Sequence, residues 1–113
     1  MTSGGDERRF TATGAAPGLA AGAAYVLPDG TDEPAVPAGA ILVARLIHPY
    51  HSALFFRVAG VVSEEGGLLQ HAAILAREFG IPAVVGLPNA TQIFRTGERL
   101  EGRGDTGEVT RLD

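Results

Sequence analysis

The chain has 113 residues with nine arginines, no lysine and no cysteine, and a formal net charge of −4. That length suits one domain with a buried core, while the missing cysteine and lysine exclude disulfides, thiol chemistry, thiolate metal sites, Schiff bases and a P-loop lysine. Scattered arginines with no tryptophan argue against a nucleic-acid partner, and no apolar run reaches the roughly 20 residues of a membrane span.

Residues 1–10 are polar and glycine-bearing, read as a disordered lead-in, and lack the apolar region of a signal peptide. The protein is therefore expected to be soluble and cytoplasmic, with its domain over residues 11–113. Pro17 and Gly18 punctuate a turn, and a strand is expected over residues 23–27. Residues 28–39, rich in Pro, Gly and Asp, read as a surface loop, followed by a buried apolar strand over 40–44. Pro49 suits the first turn of a helix reaching about Val58, with Leu54, Phe55 and Val58 on one face.

Gly60 ends that helix and residues 61–63 form the next strand. A second helix runs over the apolar stretch from Ala72 to Phe79, with Gly80 as its C-terminal cap and Pro82 preventing continuation. A strand over 83–85 follows. Asn89 is placed to cap a short turn through Phe94, and strands near 99–102 and 108–112 flank the turn Gly104-Asp105-Thr106-Gly107. No internal repeat is present. Strands with two interspersed helices and short links predict an α/β fold, specifically a compact β/β/α domain with helices on one side of a sheet.

The chemistry concentrates where a glycine turn becomes a helix, in Gly66-Gly67-Leu68-Leu69-Gln70-His71. Glycines permit φ > 0 and close approach to a ligand, and a helix start offers unpaired N–H groups to an anion. Neutral histidine is a nitrogen nucleophile near pH 7, so His71 is placed to form a phosphoramidate or simply to hydrogen-bond the backbone. Arg77 can reach a phosphate or cover the helix with its stem, and Glu64 can orient the imidazole or remain solvated. His48 and His51 have a spacing that could pair two metal ligands, but no third ligand accompanies them and no metal site is assigned.

Four segments in order carry a family resemblance: GAAPGLAAGAA, PAGAILVA, GVVSEEGGLLQHAAILAREFGIPAVVG and TGERLEGRGDTGEV. Together they resemble the mobile, swivelling phosphohistidine domain of phosphoenolpyruvate-utilising enzymes, nearest in flavour to rifampin phosphotransferase-like and phosphoenolpyruvate synthase-like proteins. The resemblance implies a swivelling β/β/α domain in which His71 accepts a phosphoryl or pyrophosphoryl group, supported by Gly66, Gly67, Gln70, Ala72, Arg77 and Glu64. It also implies an ATP-grasp partner holding ATP and Mg²⁺, a separate acceptor site, and no cofactor or metal on this chain.

Leu69 and Gln70 stand where several family members carry threonine and a small Ser or Cys before the histidine. Neither an ATP-grasp domain nor a phosphoenolpyruvate barrel fits in this length. The expected role is a phosphoryl-carrier domain or subunit of a split, dikinase-type phosphotransferase, inactive without its partners. The alternative is a non-catalytic interaction or regulatory module that keeps the swivelling fold. Met1 and the polar lead-in are expected to mark a separately encoded subunit.

Overall fold

The computed structural model describes residues 8–28, 35–66 and 71–112. In chain order the elements are β1 (Arg9–Thr11), β2 (Thr13–Ala16), β3 (Leu19–Val26), β4 (Ile41–Ala44), a 3-10 helix (Pro49–Phe56), β5 (Gly60–Ser63), α1 (His71–Phe79), β6 (Ala83–Val85), α2 (Ala90–Ile93), β7 (Arg99–Arg103) and β8 (Glu108–Arg111). The strand order is β1-β8-β7-β3-β4-β5-β6-β2. The β3-β4-β5-β6 pairs are parallel, while β1, β8, β7 and β3 pair antiparallel and β2 runs antiparallel to β6.

Every residue of β4, β5 and β6 is buried, as expected of parallel strands covered on both faces. Alternation along each strand divides the side chains between two cores. Leu42, Ala44, Val61, Ala83 and Val85 meet Ala72, Ala73, Leu75 and Ala76 of α1 and Leu54 and Phe55 of the 3-10 helix. Ile41, Val43, Val62 and Val84 meet Leu100 of β7, Val109 of β8 and Phe94. The antiparallel half therefore folds over one face, with α2 in the same core, and α1 and the 3-10 helix cover the other, giving the β/β/α layering expected from the sequence.

The closure of this sheet is visible in its connectivity. β1 and β2 are separated by Ala12 alone but stand at opposite ends of the strand order, so the sheet curls until its edges meet. Ala12 N–H donates to the Gly107 carbonyl at 2.8 Å, tying this crossing to the turn between β7 and β8.

α1 buries alanines and Leu75, whose small volume lets the helix lie close to the sheet, and exposes Ile74, Arg77 and Glu78. Gly80 ends it at φ +71°, and Ile81 N–H donates to the Ala76 carbonyl at 3.0 Å, the long bond of a Schellman cap. A Cβ at Gly80 would meet nothing within 4 Å, so only backbone strain opposes it. Gly80→Ala should cost about 1–2 kcal/mol, read from the urea midpoint; an unchanged midpoint would show the cap to be dispensable.

Several local expectations need correction. Arg9 and Phe10, assigned to the lead-in, belong to β1 because β8 supplies their hydrogen-bonding partners. The strand expected over 23–27 runs from Leu19 to Val26, held by β7 along its first half and by β4 along its second. Val36, assigned to a surface loop, is fully buried and anchors that segment in the helix-side core. Asn89 precedes α2 but lies in the left-handed region at φ 63° and makes no side-chain cap.

Candidate functional site

Because β4, β5 and β6 are parallel, their C-terminal ends share one edge of the sheet, and the segments leaving them gather there. β5 exits through Glu64, Glu65 and Gly66, and α1 begins at His71 on its way back to the start of β6. The exit is firmly held: Glu64 and Glu65 N–H donate to the carbonyls of Ala44 and Arg45 at 2.9 and 3.0 Å. On the other side Gly86 N–H donates to the Glu65 carbonyl at 3.1 Å, and Leu87 N–H to the Ser63 carbonyl at 3.2 Å.

His71 is the first residue of α1 and is half-buried. Its Nε2 is fully covered and has no hydrogen-bond partner among the described residues. Leaving a buried polar atom unpaired costs about 1–3 kcal/mol. An imidazole held this way contributes little to the fold through that nitrogen, which keeps its hydrogen-bonding capacity uncommitted. The N–H groups of the first helical turn lack acceptors within the helix, and the helix dipole favours negative charge beside them.

The residues grouped with His71 by sequence separate into different tasks. Gly66 is not in the left-handed region; a Cβ there would lie 3.3 Å from the Gly86 Cα, so its value is close backbone approach. Gly67 and Gln70 lie outside the described residues. Ala72 is 3% exposed and seats the first turn of α1 in the core. Arg77 stands about 9 Å further along α1 and about 240° around it from His71 by helical geometry, and its guanidinium donates to the Ala15 carbonyl of β2 at 3.4 Å.

Glu64 also takes a role that its sequence position does not show. Its Oε2 accepts from the Thr91 backbone N–H at 2.8 Å and from the Thr91 hydroxyl at 2.5 Å. It caps α2 from 27 residues away, where Asn89 does not. Thr91 carries no local signal that would have marked it.

His48, Tyr50 and His51 start the 3-10 helix that leaves the C-terminal end of β4, at the same edge as His71. His51 is 2% exposed and its Nδ1 accepts the His48 N–H at 3.1 Å. The His48 ring stacks on Tyr50 with centroids 5.0 Å apart. Among the described residues no group of three His, Asp or Glu side chains could hold a metal ion. Nor is any described helix long and apolar enough to cross a membrane.

Fold and site together define a histidine-bearing β/β/α domain, with the histidine opening the helix between two parallel strands. The chain belongs to the PEP-utilising enzyme mobile domain family, whose sequence model matches residues 36–107. It is 44% identical over 107 residues to chondramide synthase cmdD of Chondromyces crocatus, covering 95% of this chain and 3% of that protein. It is 47% identical over 75 residues to a rifampicin phosphotransferase of a Streptomyces species, covering 66% of this chain and 9% of that protein. Among solved structures, the solution structure of an Enzyme I protein superposes with a TM-score of 0.60 at 33% identity, covering 68% of this chain and 32% of that one. The chain thus spans under a tenth of the length of these two curated relatives.

Proposed function

We propose that this chain is a phosphoryl carrier in which His71 takes a phosphoryl or pyrophosphoryl group from ATP on an ATP-grasp partner and presents it to an acceptor site on a partner. The observation that carries this reading is the uncommitted Nε2 of a histidine opening α1 in a PEP-utilising mobile domain. Neutral Nε2 attacks phosphorus, and the P–O bond to the departing nucleotide breaks with its electron pair going to oxygen. The acceptor then attacks the same phosphorus and the N–P pair returns to the ring. Mg²⁺ on the partner would neutralise phosphate charge during loading.

Nε2 is covered in the conformation described, so loading includes a rotation that brings the ring to the surface. The α1 N-terminus then offers its dipole to the new charge. Arg77 is left out of the phosphate site by its bond to Ala15. The covering of Nε2 also favours a second reading, an interaction module without phosphoryl transfer, and one experiment separates the two. Intact-mass spectrometry after incubation with ATP, Mg²⁺ and a desalted extract of the source cells should show an acid-labile phosphoryl gain in wild type and none in His71→Asn. No gain in wild type, in an extract that loads an intact family member, selects the interaction module.

A further inference from the structure

Glu64 lies on the stem that leads to His71, and its side chain crosses to the opposite layer of the domain. The stem backbone is already bonded on both sides through residue 65, and the Ser63 hydroxyl donates to the Glu65 carbonyl at 3.2 Å. Those bonds hold the stem to its neighbouring strands and, through Leu87, to the core on the other face of the sheet. The half-buried Glu64 carboxylate adds a side-chain link from the stem to α2 through both donors of Thr91. Ala90, beside Thr91, is fully buried in the core that the antiparallel half covers, whereas α1 packs in the other core. A short helix can be capped by a local Ser, Thr or Asp. Here the cap comes instead from the strand exit that delivers the histidine, and the residue at the local cap position is turned into the left-handed region.

We propose that Glu64 is a positioning residue for His71: its bonds to Thr91 hold the exit of β5 against α2, and so fix where the chain leading to the histidine leaves the sheet. The proposal rests on the carrier reading. Its physical basis is that transfer between two sites depends on the placement of the reacting nitrogen, and that small displacements at a reacting centre reduce rate steeply. Both hydrogen bonds require an acceptor oxygen at position 64, and one of them also requires a hydroxyl at position 91. They do not require charge at the imidazole.

The test is the initial rate of acid-labile phosphoryl gain, by intact mass, with ATP, Mg²⁺ and one batch of desalted source-cell extract, alongside thermal unfolding of each variant. Glu64→Ala, which loses both bonds, should load about tenfold more slowly than wild type, and Thr91→Val, which keeps the backbone N–H bond, about threefold more slowly. Glu64→Gln, which keeps an acceptor oxygen, and Thr91→Ser, which keeps the hydroxyl, should load within about twofold of wild type. Wild-type rates in Glu64→Ala and Thr91→Val, with only the unfolding midpoint lowered, would reduce Glu64 to a helix cap. A Glu64→Gln rate as slow as that of Glu64→Ala would assign the effect to charge acting on the imidazole and overturn the positioning role. Absence of loading in wild type, in an extract that loads an intact family member, would overturn the carrier reading itself and this proposal with it. Thr91→Val removes a single hydroxyl and keeps the question answerable if Glu64→Ala fails to fold.

Discussion

Gly104→Ala should leave the domain unfolded or destabilised by about 4 kcal/mol or more. A Cβ at Gly104 would fall 1.6 Å from the Ala16 carbonyl oxygen, 2.8 Å from its carbon and 3.2 Å from the Ala83 nitrogen. These are backbone atoms of a paired β2–β6 segment, so no side chain can rotate away to make room. The same turn meets β2 and the residue before it: a Cβ at Gly14 would lie 2.1 Å from the Gly104 oxygen, and one at Gly107 would lie 2.1 Å from the Ala12 oxygen. Here the edges of the curled sheet come together, backbone against backbone, and Gly104 N–H donates to the Gly18 carbonyl at 2.8 Å across the contact. Gly102 in β7 provides the control, since a Cβ there meets nothing within 4 Å and its site lines a small apolar cavity. Gly102→Ala should change stability by less than about 1 kcal/mol, with stabilisation the expected sign because the substitution removes unfolded-state freedom. Urea midpoints for the pair decide the matter; equal midpoints would show that the sheet can close with side chains at this seam.

The same closure explains which parts of the fold could be read from the sequence. β4, β5 and β6 are short apolar runs bounded by Gly, Pro or polar residues, and burial on both faces is the only environment that suits such runs. α1 announced itself through helical spacing and the Gly80-Ile81-Pro82 stop. β2, with the sequence Thr-Gly-Ala-Ala, carries almost no strand propensity, and its structure is imposed by the glycine turn and by β6. Arg9 and Phe10 read as the end of a polar lead-in until β8 supplies their backbone partners, and Phe10 packs edge-on against Phe94 with centroids 5.3 Å apart. His71 at a helix start was legible because the turn and the apolar run adjoin it in sequence. The Glu64–Thr91 pair was not, because those residues meet only after β6 has been placed beside β5. Arg77, six residues beyond His71, lies on another face of α1 by helical geometry, and its guanidinium reaches the Ala15 carbonyl of β2.

His71→Leu should abolish phosphoryl loading and, in the same protein, raise stability by about 1 kcal/mol. The two effects have one origin. A buried Nε2 without a partner is a cost carried by the folded state, and an apolar side chain of similar reach removes that cost while keeping contact with the core. A histidine retained for structure would give the opposite sign, because its replacement would lose hydrogen bonds and leave their partners unpaired. His71→Asn separates the terms, since its amide is polar but does not act as a phosphoryl acceptor, and it should lose loading with no gain in stability. Urea unfolding of the three proteins together with their acid-labile mass gain makes the comparison. A fall of more than about 1 kcal/mol in His71→Leu would show that the ring holds the start of α1 in place, and the covered nitrogen would then be a by-product of packing. Stabilisation with loss of loading would locate the domain's functional cost at one atom, and would mean that the rotation exposing Nε2 starts from a state already strained toward it.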